Sequence, residues 1–224
     1  MQYKSIAVDG PSGAGKSTMA KRLAAALGYL YVDTGAIYRT LGLYALRSGA
    51  APTDPSAVTA LLPQVSIRMD YADDGLQHMY LGDEDVTEAI RKPEVSVAAS
   101  QVSAIPAVRD FLLDMQRDMA RRNNVIMDGR DIGTVVLPNA DVKIFLTATP
   151  EDRARRRLAE LLERGNEVDF DTVLADIIAR DERDTKRSAA PLRQAEDALL
   201  VDTTGNSLEE SFDALLRTIR ERLE

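Results

Sequence analysis

The chain has 224 residues, 45% of them hydrophobic and 29% charged, which suits one folded domain with room for an insert. A formal net charge of -8 excludes an extended basic footprint for nucleic acid, although it leaves open a local cluster of arginines. There is no cysteine, which excludes disulfides, a thiolate nucleophile and a cysteine-held metal. No run is long and apolar enough to span a bilayer, and no apolar signal core precedes the first strand, so a cytoplasmic protein without membrane association is expected.

Ser5-Ile6-Ala7-Val8-Asp9 reads as a short buried strand, and 18–27 as a helix with apolar Met19, Leu23 and Leu27. Between them Gly10, Pro11, Ser12, Gly13, Ala14, Gly15, Lys16 and Ser17 fill the pattern G-x-x-x-x-G-K-[ST] in full, with Thr18 next. Strand, tight loop and helix are the context in which this pattern cradles phosphate. The glycines let the chain turn around an anion with N–H groups pointing inward, and the helix N-terminus adds partial positive charge. Lys16 then reaches the β- and γ-phosphates of a nucleoside triphosphate, and the Ser17 hydroxyl joins a Mg²⁺ shell. A glycine-rich turn without a ligand would need the lysine, the hydroxyl and both flanking elements to coincide by accident.

Residues 29–33 predict a second short strand and 35–46 a helix. After a turn region at 49–55, a shorter helix over 56–62 stops at Pro63. The period then changes: Val65, Ile67 and Met69 alternate with polar residues, and 77–81 supplies a partner strand, so a small hairpin interrupts an α/β chain. His78, the one histidine, lies in that hairpin and reads as a surface residue. Residues 86–90 are either a strand or a turn. Two helices over 94–102 and 107–119 break at Pro106, strands follow at 124–128 and 142–147, and a basic helix runs over 150–162. A polar loop at 165–169, a charged helix over 170–184, a last strand at 199–202 and a closing amphipathic helix over 208–223 complete the chain. Five short strands separated by helices predict an open parallel sheet with helices on both faces. Ligands in such folds collect beyond the C-terminal ends of the strands.

Three polar clusters fall where an acceptor would sit. Thr34 and Arg39 follow the second strand; Thr34 is either a site residue or simply the cap of the next helix. Asp128-Gly129-Arg130-Asp131 follows a strand, with Gly129 expected to turn the chain tightly. Arg180, Asp184 and Arg187 share a helical face if the helix persists, forming either an anion site or a solvated ion-pair ladder. A kinase acting on a phosphorylated acceptor needs this inventory: arginines neutralise the acceptor phosphate and the transferred group, and no strong base is required because a phosphate oxygen is already anionic. The arginine-rich helix at 153–157 and the segment after it have the form of a hinged cover that excludes water. A nucleotide-binding switch protein is the alternative of another class; it would have no acceptor.

These residues together resemble the bacterial cytidylate kinases of the nucleoside monophosphate kinase group. The resemblance is carried by the glycine loop from Asp9 to Thr18, Asp33-Thr34-Gly35-Ala36-Ile37-Tyr38-Arg39, Ala98-Ala99-Ser100-Gln101-Val102-Ser103, Asp128-Gly129-Arg130-Asp131-Ile132-Gly133-Thr134-Val135-Val136, Val142-Lys143-Ile144-Phe145-Leu146 and Arg180-Asp181-Glu182-Arg183-Asp184. It implies a P-loop NTPase-type α/β fold in a single domain over 1–224, a monophosphate-binding region with a β-containing insert at about 36–110, and a lid at about 155–170. It implies ATP and CMP or dCMP as substrates, Mg²⁺ bound with ATP, UMP as a poorer acceptor, and a monomer. By the same resemblance Ser100, Arg109 and Asp131 recognise the cytosine, and Arg39, Arg130 and Arg187 hold the acceptor phosphate. Arg180 and Asp184 contact the sugar near Thr34, and Arg153 and Arg157 approach ATP from the lid. Lys16, Arg130 and Arg187 are the implied catalytic groups. Thr34 stands where the family commonly has serine. Shikimate, gluconate and thymidylate kinases share the glycine loop but do not call for Ser100 and Asp131 as base readers.

Overall fold

The computed structural model describes residues 3–72, 75–163, 165–205 and 208–223. Met1, Gln2, Asp73, Asp74 and Arg164, the last within the expected lid, are among the residues outside that description. The chain divides into two compact units, Val32–Met119 and the combination of Met1–Tyr31 with Ala120–Glu224.

The larger unit is built on β1 (Ser5–Asp9), β6 (Val125–Gly129), β7 (Val142–Thr147) and β8 (Leu199–Asp202), with β2 (Leu30–Asp33) completing a five-stranded sheet in the order β2-β6-β1-β7-β8. β1 pairs in parallel with β6 and β7, Val8 facing Asp128 on one side and Ile144 on the other, and β7 pairs in parallel with β8. The central strands carry near-continuous apolar residues, as strands covered on both faces do. Ile6, Val8, Ile126, Ile144 and Leu146 bury against Met19 and Leu23 of α1 (Lys16–Leu27) and against Leu215 and Ile219 of α8 (Leu208–Leu223). Gly28 ends α1 in the left-handed conformation, its N–H bonded to the Ala24 carbonyl. α6 (Pro150–Glu163) and α7 (Phe170–Lys186) share a separate apolar cluster of Ala154, Val173 and Ile177.

The smaller unit holds α2 (Thr34–Arg47), α3 (Pro55–Leu61), α4 (Pro93–Val102) and α5 (Pro106–Arg122, its last residues reaching the other unit's range), with an antiparallel sheet β3-β4-β5. β3 (Ile67–Tyr71) and β4 (Gln77–Leu81) form the expected hairpin, Tyr71 opposite Gln77. Glu84–Asp85 forms β5 and a short 3₁₀ turn follows at Ala89–Arg91, which resolves the 86–90 ambiguity. α2 packs so closely on α4 that a Cβ on Gly42 would lie 2.9 Å from the Ala99 nitrogen.

Three expectations need correction. Pro55, Pro93 and Pro106 are each the first residue of a helix, one residue before the expected starts at 56, 94 and 107, and the expected break between two helices at Pro106 falls at 103–105. A proline at the first helical position gives up an N–H that has no intrahelical partner anyway. The N-cap of α2 is Asp33, whose carboxylate accepts the Ala36 N–H at 2.9 Å, so Thr34 is the first helical residue and not the cap. Gly129 is an ordinary strand residue outside the positive-φ glycines, and the turn after β6 is a wide helical loop over Ile132–Val136. Among the described residues no helix is long and apolar enough to cross a membrane.

Candidate active site

The loop between β1 and α1 is shaped by three glycines at positive φ: Gly10 at 145°, Gly13 at 75° and Gly15 at 86°. Gly10 is the strictest, since a Cβ there would lie 1.9 Å from the Leu146 carbonyl oxygen. The loop passes directly over β7 because nothing projects from this residue. Lys16 is buried, with its ammonium donating to the Pro11 carbonyl at 2.7 Å, so the lysine closes the loop on itself. Burial, then the neighbouring Arg130 charge, hold its pKa well below that of an ordinary lysine, against the opposing pull of Asp128 and Asp9. A phosphate here would add to the pull of Asp128 and Asp9 and favour the charged ammonium.

Three residues that the sequence reading did not assign complete this corner. Asp128 accepts the Ser17 hydroxyl at 2.8 Å and the Tyr31 hydroxyl at 2.9 Å. Asp9, the last residue of β1, accepts the Ile132 and Gly133 N–H groups at 2.8 and 2.7 Å, tying the segment after β6 to the start of the phosphate loop. Burial raises Asp9 to about 6, the two N–H bonds opposing the rise and the nearby Asp131 charge adding to it. Gly133 is closely packed there: a Cβ would come 3.1 Å from the Lys143 stem and 3.3 Å from Asp9, so those side chains would have to give by a few tenths of an ångström. The signal for Asp9 and Asp128 was a carboxylate at the end of a strand followed by glycine.

Arg130, Arg153 and Arg187 of the larger unit each pair with a carboxylate. Arg130 donates through Nε to Asp184 at 2.9 Å, in a pair whose side chains are 18% and 5% exposed. Burial pushes Asp184 up, but Arg130, Arg180 and Arg187 together hold it below the usual carboxylate range. Asp184 therefore answers Arg130, 54 residues away, and is no rung of a solvated ladder on its own helix. α7 ends at Lys186 and Arg187 stands as its C-cap. Arg187 reaches Asp131 at 3.5 Å, both side chains 6% exposed, and donates through Nε to the Ala190 carbonyl at 2.7 Å. Ala190 sits at φ 46°, the one non-glycine residue at positive φ among those described.

Arg153 departs from the hinged-cover expectation. It is buried, donating to the Ala148 carbonyl at 2.9 Å and to the Ser12 carbonyl at 3.1 Å, and it pairs with Asp181 at 2.7 Å. Its Cβ is 3.1 Å from where a side chain on Gly13 would begin. Arg156 bonds the Thr203 carbonyl at 2.8 Å, whereas Arg157 pairs along its helix with Glu160 at 3.0 Å. The base of α6 is thus fastened to the phosphate loop and to the end of β8.

In the smaller unit Asp33 binds Arg39 at 2.7 Å, and the Arg39 charge contributes to an Asp33 pKa that lies below normal although burial opposes it. Thr34 is buried beside them. Arg109 is also buried, donating to the Ser103 carbonyl at 3.2 Å with its guanidinium 5.5 Å from the Tyr38 ring centre. Ser103 donates in turn to the Ser100 carbonyl at 2.9 Å, and the Ser100 hydroxyl is buried with no hydrogen-bond partner among the described residues. Of the candidate residues, Lys16, Ser17, Arg130, Asp131, Arg153, Arg157, Arg180, Asp184 and Arg187 belong to the larger unit, and Thr34, Arg39, Ser100 and Arg109 to the smaller.

A glycine loop closed by a buried lysine, a hydroxyl paired with a strand-end carboxylate and carboxylate-held arginines on a parallel sheet define a P-loop phosphotransferase. The cytidylate kinase family model matches residues 6–221. A cytidylate kinase of Caldicellulosiruptor bescii is 50% identical over 216 residues, covering 96% of this chain and 95% of that protein. One from Carboxydothermus hydrogenoformans is 50% identical over 214 residues, covering 96% of each. Among solved structures, an uncharacterized protein from Eubacterium ventriosum is similar in fold, with a TM-score of 0.51 at 12% identity over 97% of this chain and 98% of that one. The chain belongs to the cytidylate kinase family.

Proposed function

We propose that this chain moves the γ-phosphate of ATP to CMP or dCMP and accepts UMP poorly. Family membership makes it an ATP-dependent (d)CMP kinase; the preference among pyrimidines and the residue roles are our reading. The donor phosphates lie on the Gly10–Thr18 loop, with Lys16 on the migrating group. The Ser17 hydroxyl and the Asp128 carboxylate are hard oxygen donors 2.8 Å apart, which suits Mg²⁺, a cation that takes few protein ligands and keeps phosphate oxygens and waters. Bound there, Mg²⁺ neutralises charge on the donor oxygens. Arg39, Arg130 and Arg187 take the acceptor phosphate, whose oxygen is already an anion, so the absence of a histidine or cysteine base costs nothing. Arg180 and Asp184 take the sugar.

Base choice rests above all on the buried Ser100 hydroxyl, a polar atom whose burial is costly until something bonds it. Arg109, on α5, donates to the Ser103 carbonyl at 3.2 Å, which restrains the guanidinium as a base-reading arginine needs. In the other unit the buried Asp131 carboxylate accepts from the cytosine amino group; uracil presents a carbonyl at that position and would set acceptor against acceptor. The mismatch costs about 1–3 kcal/mol, roughly fivefold to 150-fold in kcat/KM. Asp131→Ala should lower CMP turnover and narrow the CMP/UMP ratio; an unchanged ratio removes Asp131 from base recognition.

The segment at about 155–170 serves as the lid, moving beyond a base of α6 that Arg153 fastens. The chain acts as a monomer: its exposed large apolar residues, among them Val97, Phe111, Ile178 and Leu200, each lie on a different element.

A further inference from the structure

The β hairpin that interrupts the α/β chain reaches the acceptor residues of its own unit through Gln77. Gln77, the first residue of β4, grips both peptide groups of Asp33. Its Oε1 accepts the Asp33 N–H at 2.8 Å and its Nε2 donates to the Asp33 carbonyl at 3.2 Å. A side-chain amide used this way imitates a neighbouring strand and fixes the backbone of the residue it grips. The amide orientation is settled by its partners, since a backbone N–H needs an acceptor and a carbonyl a donor. Tyr71, opposite Gln77 across the hairpin, is pushed up in pKa by burial and by the Asp33 charge, so its phenol stays neutral beside the carboxylate.

Asp33 does two things with its carboxylate. Oδ1 caps α2 through the Ala36 N–H, and Oδ2 holds the Arg39 guanidinium at 2.7 Å. Arg39 lies flat over the first turn of α2 because Gly35 has no side chain; a Cβ there would be 3.1 Å from both Arg39 Nη1 and Asp33 Oδ1. The orientation of Arg39 is therefore inherited from Asp33, and the position of Asp33 from Gln77.

We propose that Gln77 is a positioning residue for the acceptor phosphate: through Asp33 it presets the Arg39 guanidinium, and this is what the hairpin insert contributes to the reaction. The proposal rests on the reading of Arg39 as an acceptor-phosphate ligand. A preset guanidinium loses less orientational freedom on binding a phosphate, so loss of Gln77 appears in acceptor binding and not in the donor site.

The test is steady-state kinetics of Gln77→Met, which keeps length and loses the amide, and of Gln77→Thr, which keeps strand preference and loses reach, each alone and combined with Arg39→Ala. Thermal melts check that each variant is folded, and either folded Gln77 variant suffices. The expected result is a KM for CMP raised about tenfold, ~1.4 kcal/mol, with kcat and the KM for ATP within about twofold. In the Arg39→Ala background the same substitution should change the KM for CMP by less than about twofold, because the residue it acts through is gone. A Gln77 effect that persists undiminished in that background, or a KM for CMP unmoved by Gln77 substitution while Arg39→Ala raises it, overturns the proposal and leaves the Arg39 reading standing. An Arg39→Ala enzyme with an unchanged KM for CMP overturns both.

Discussion

Asp184→Asn removes one charge from the larger unit while keeping the shape of the side chain. Asp184 is 5% exposed and its partner Arg130 is 18% exposed, so the pair is mostly shielded from water. Breaking a fully buried pair by removing one partner costs about 3–5 kcal/mol, and the remaining solvent access of Arg130 reduces this to about 2–3 kcal/mol. For a chain of this size that lowers Tm by about 5–10 °C. The pH dependence identifies the cause. Asp184 is held below the unfolded carboxylate value of about 3.9, so its contribution is complete above pH ~4 and is lost as pH falls through the lower folded value. Urea unfolding of wild type and variant from pH 7 to pH 3 should show a constant gap down to about pH 4.5, closing below about pH 4. The same variant should lose about tenfold or more in kcat/KM for CMP, since it alters the sugar contact proposed for Asp184 and leaves Arg130 unoriented. A gap below about 0.5 kcal/mol at pH 7, or one unchanged at pH 3, would refute the reasoning.

Lys16→Ala should reduce turnover by about a thousandfold or more while far-ultraviolet circular dichroism stays native. The loss of its bond to Pro11 costs only about 1 kcal/mol, part of which is offset by removing a poorly solvated charge; a folded variant with near-normal turnover rejects the phosphate-cradle role. Carboxyl carbon NMR, with the Asp9 signal assigned by its loss in Asp9→Asn, should show Asp9 titrating at about 6. Because this folded value is raised, ionisation of Asp9 opposes folding, and its contribution to stability declines as pH rises from about 4 to about 6 and is flat above. A midpoint below 4 would contradict the burial argument.

The phosphate loop was legible because its chemistry is local: eight consecutive residues define the turn, and the glycines and lysine occupy fixed steps within it. The parallel sheet was legible for a related reason, since doubly covered strands are continuous apolar runs and each stood between recognisable helices. Helix starts were misplaced at Pro55, Pro93 and Pro106 because a proline reads as a stop from one side and as a first residue from the other. What stayed hidden were the pairings over distance. Nothing in the order of residues says that Ser17 finds Asp128 or that Asp9 caps Gly133, separations of 111 and 124 residues. Arg153 shows the same limit: a basic helix suggests a mobile cover, but burial and the Ser12 and Ala148 carbonyls make this arginine a strut. Gln77 carries no motif at all, and its grip on Asp33 exists only in three dimensions.

The central claim is that the acceptor is a cytosine nucleotide. Coupled ADP release, measured with ATP and a panel of CMP, dCMP, UMP, AMP and GMP, tests it most directly. Strong turnover with CMP and dCMP, with UMP weaker by about fivefold or more and the purine monophosphates near background, is the predicted outcome. Strong turnover with AMP or GMP and none with CMP would contradict it.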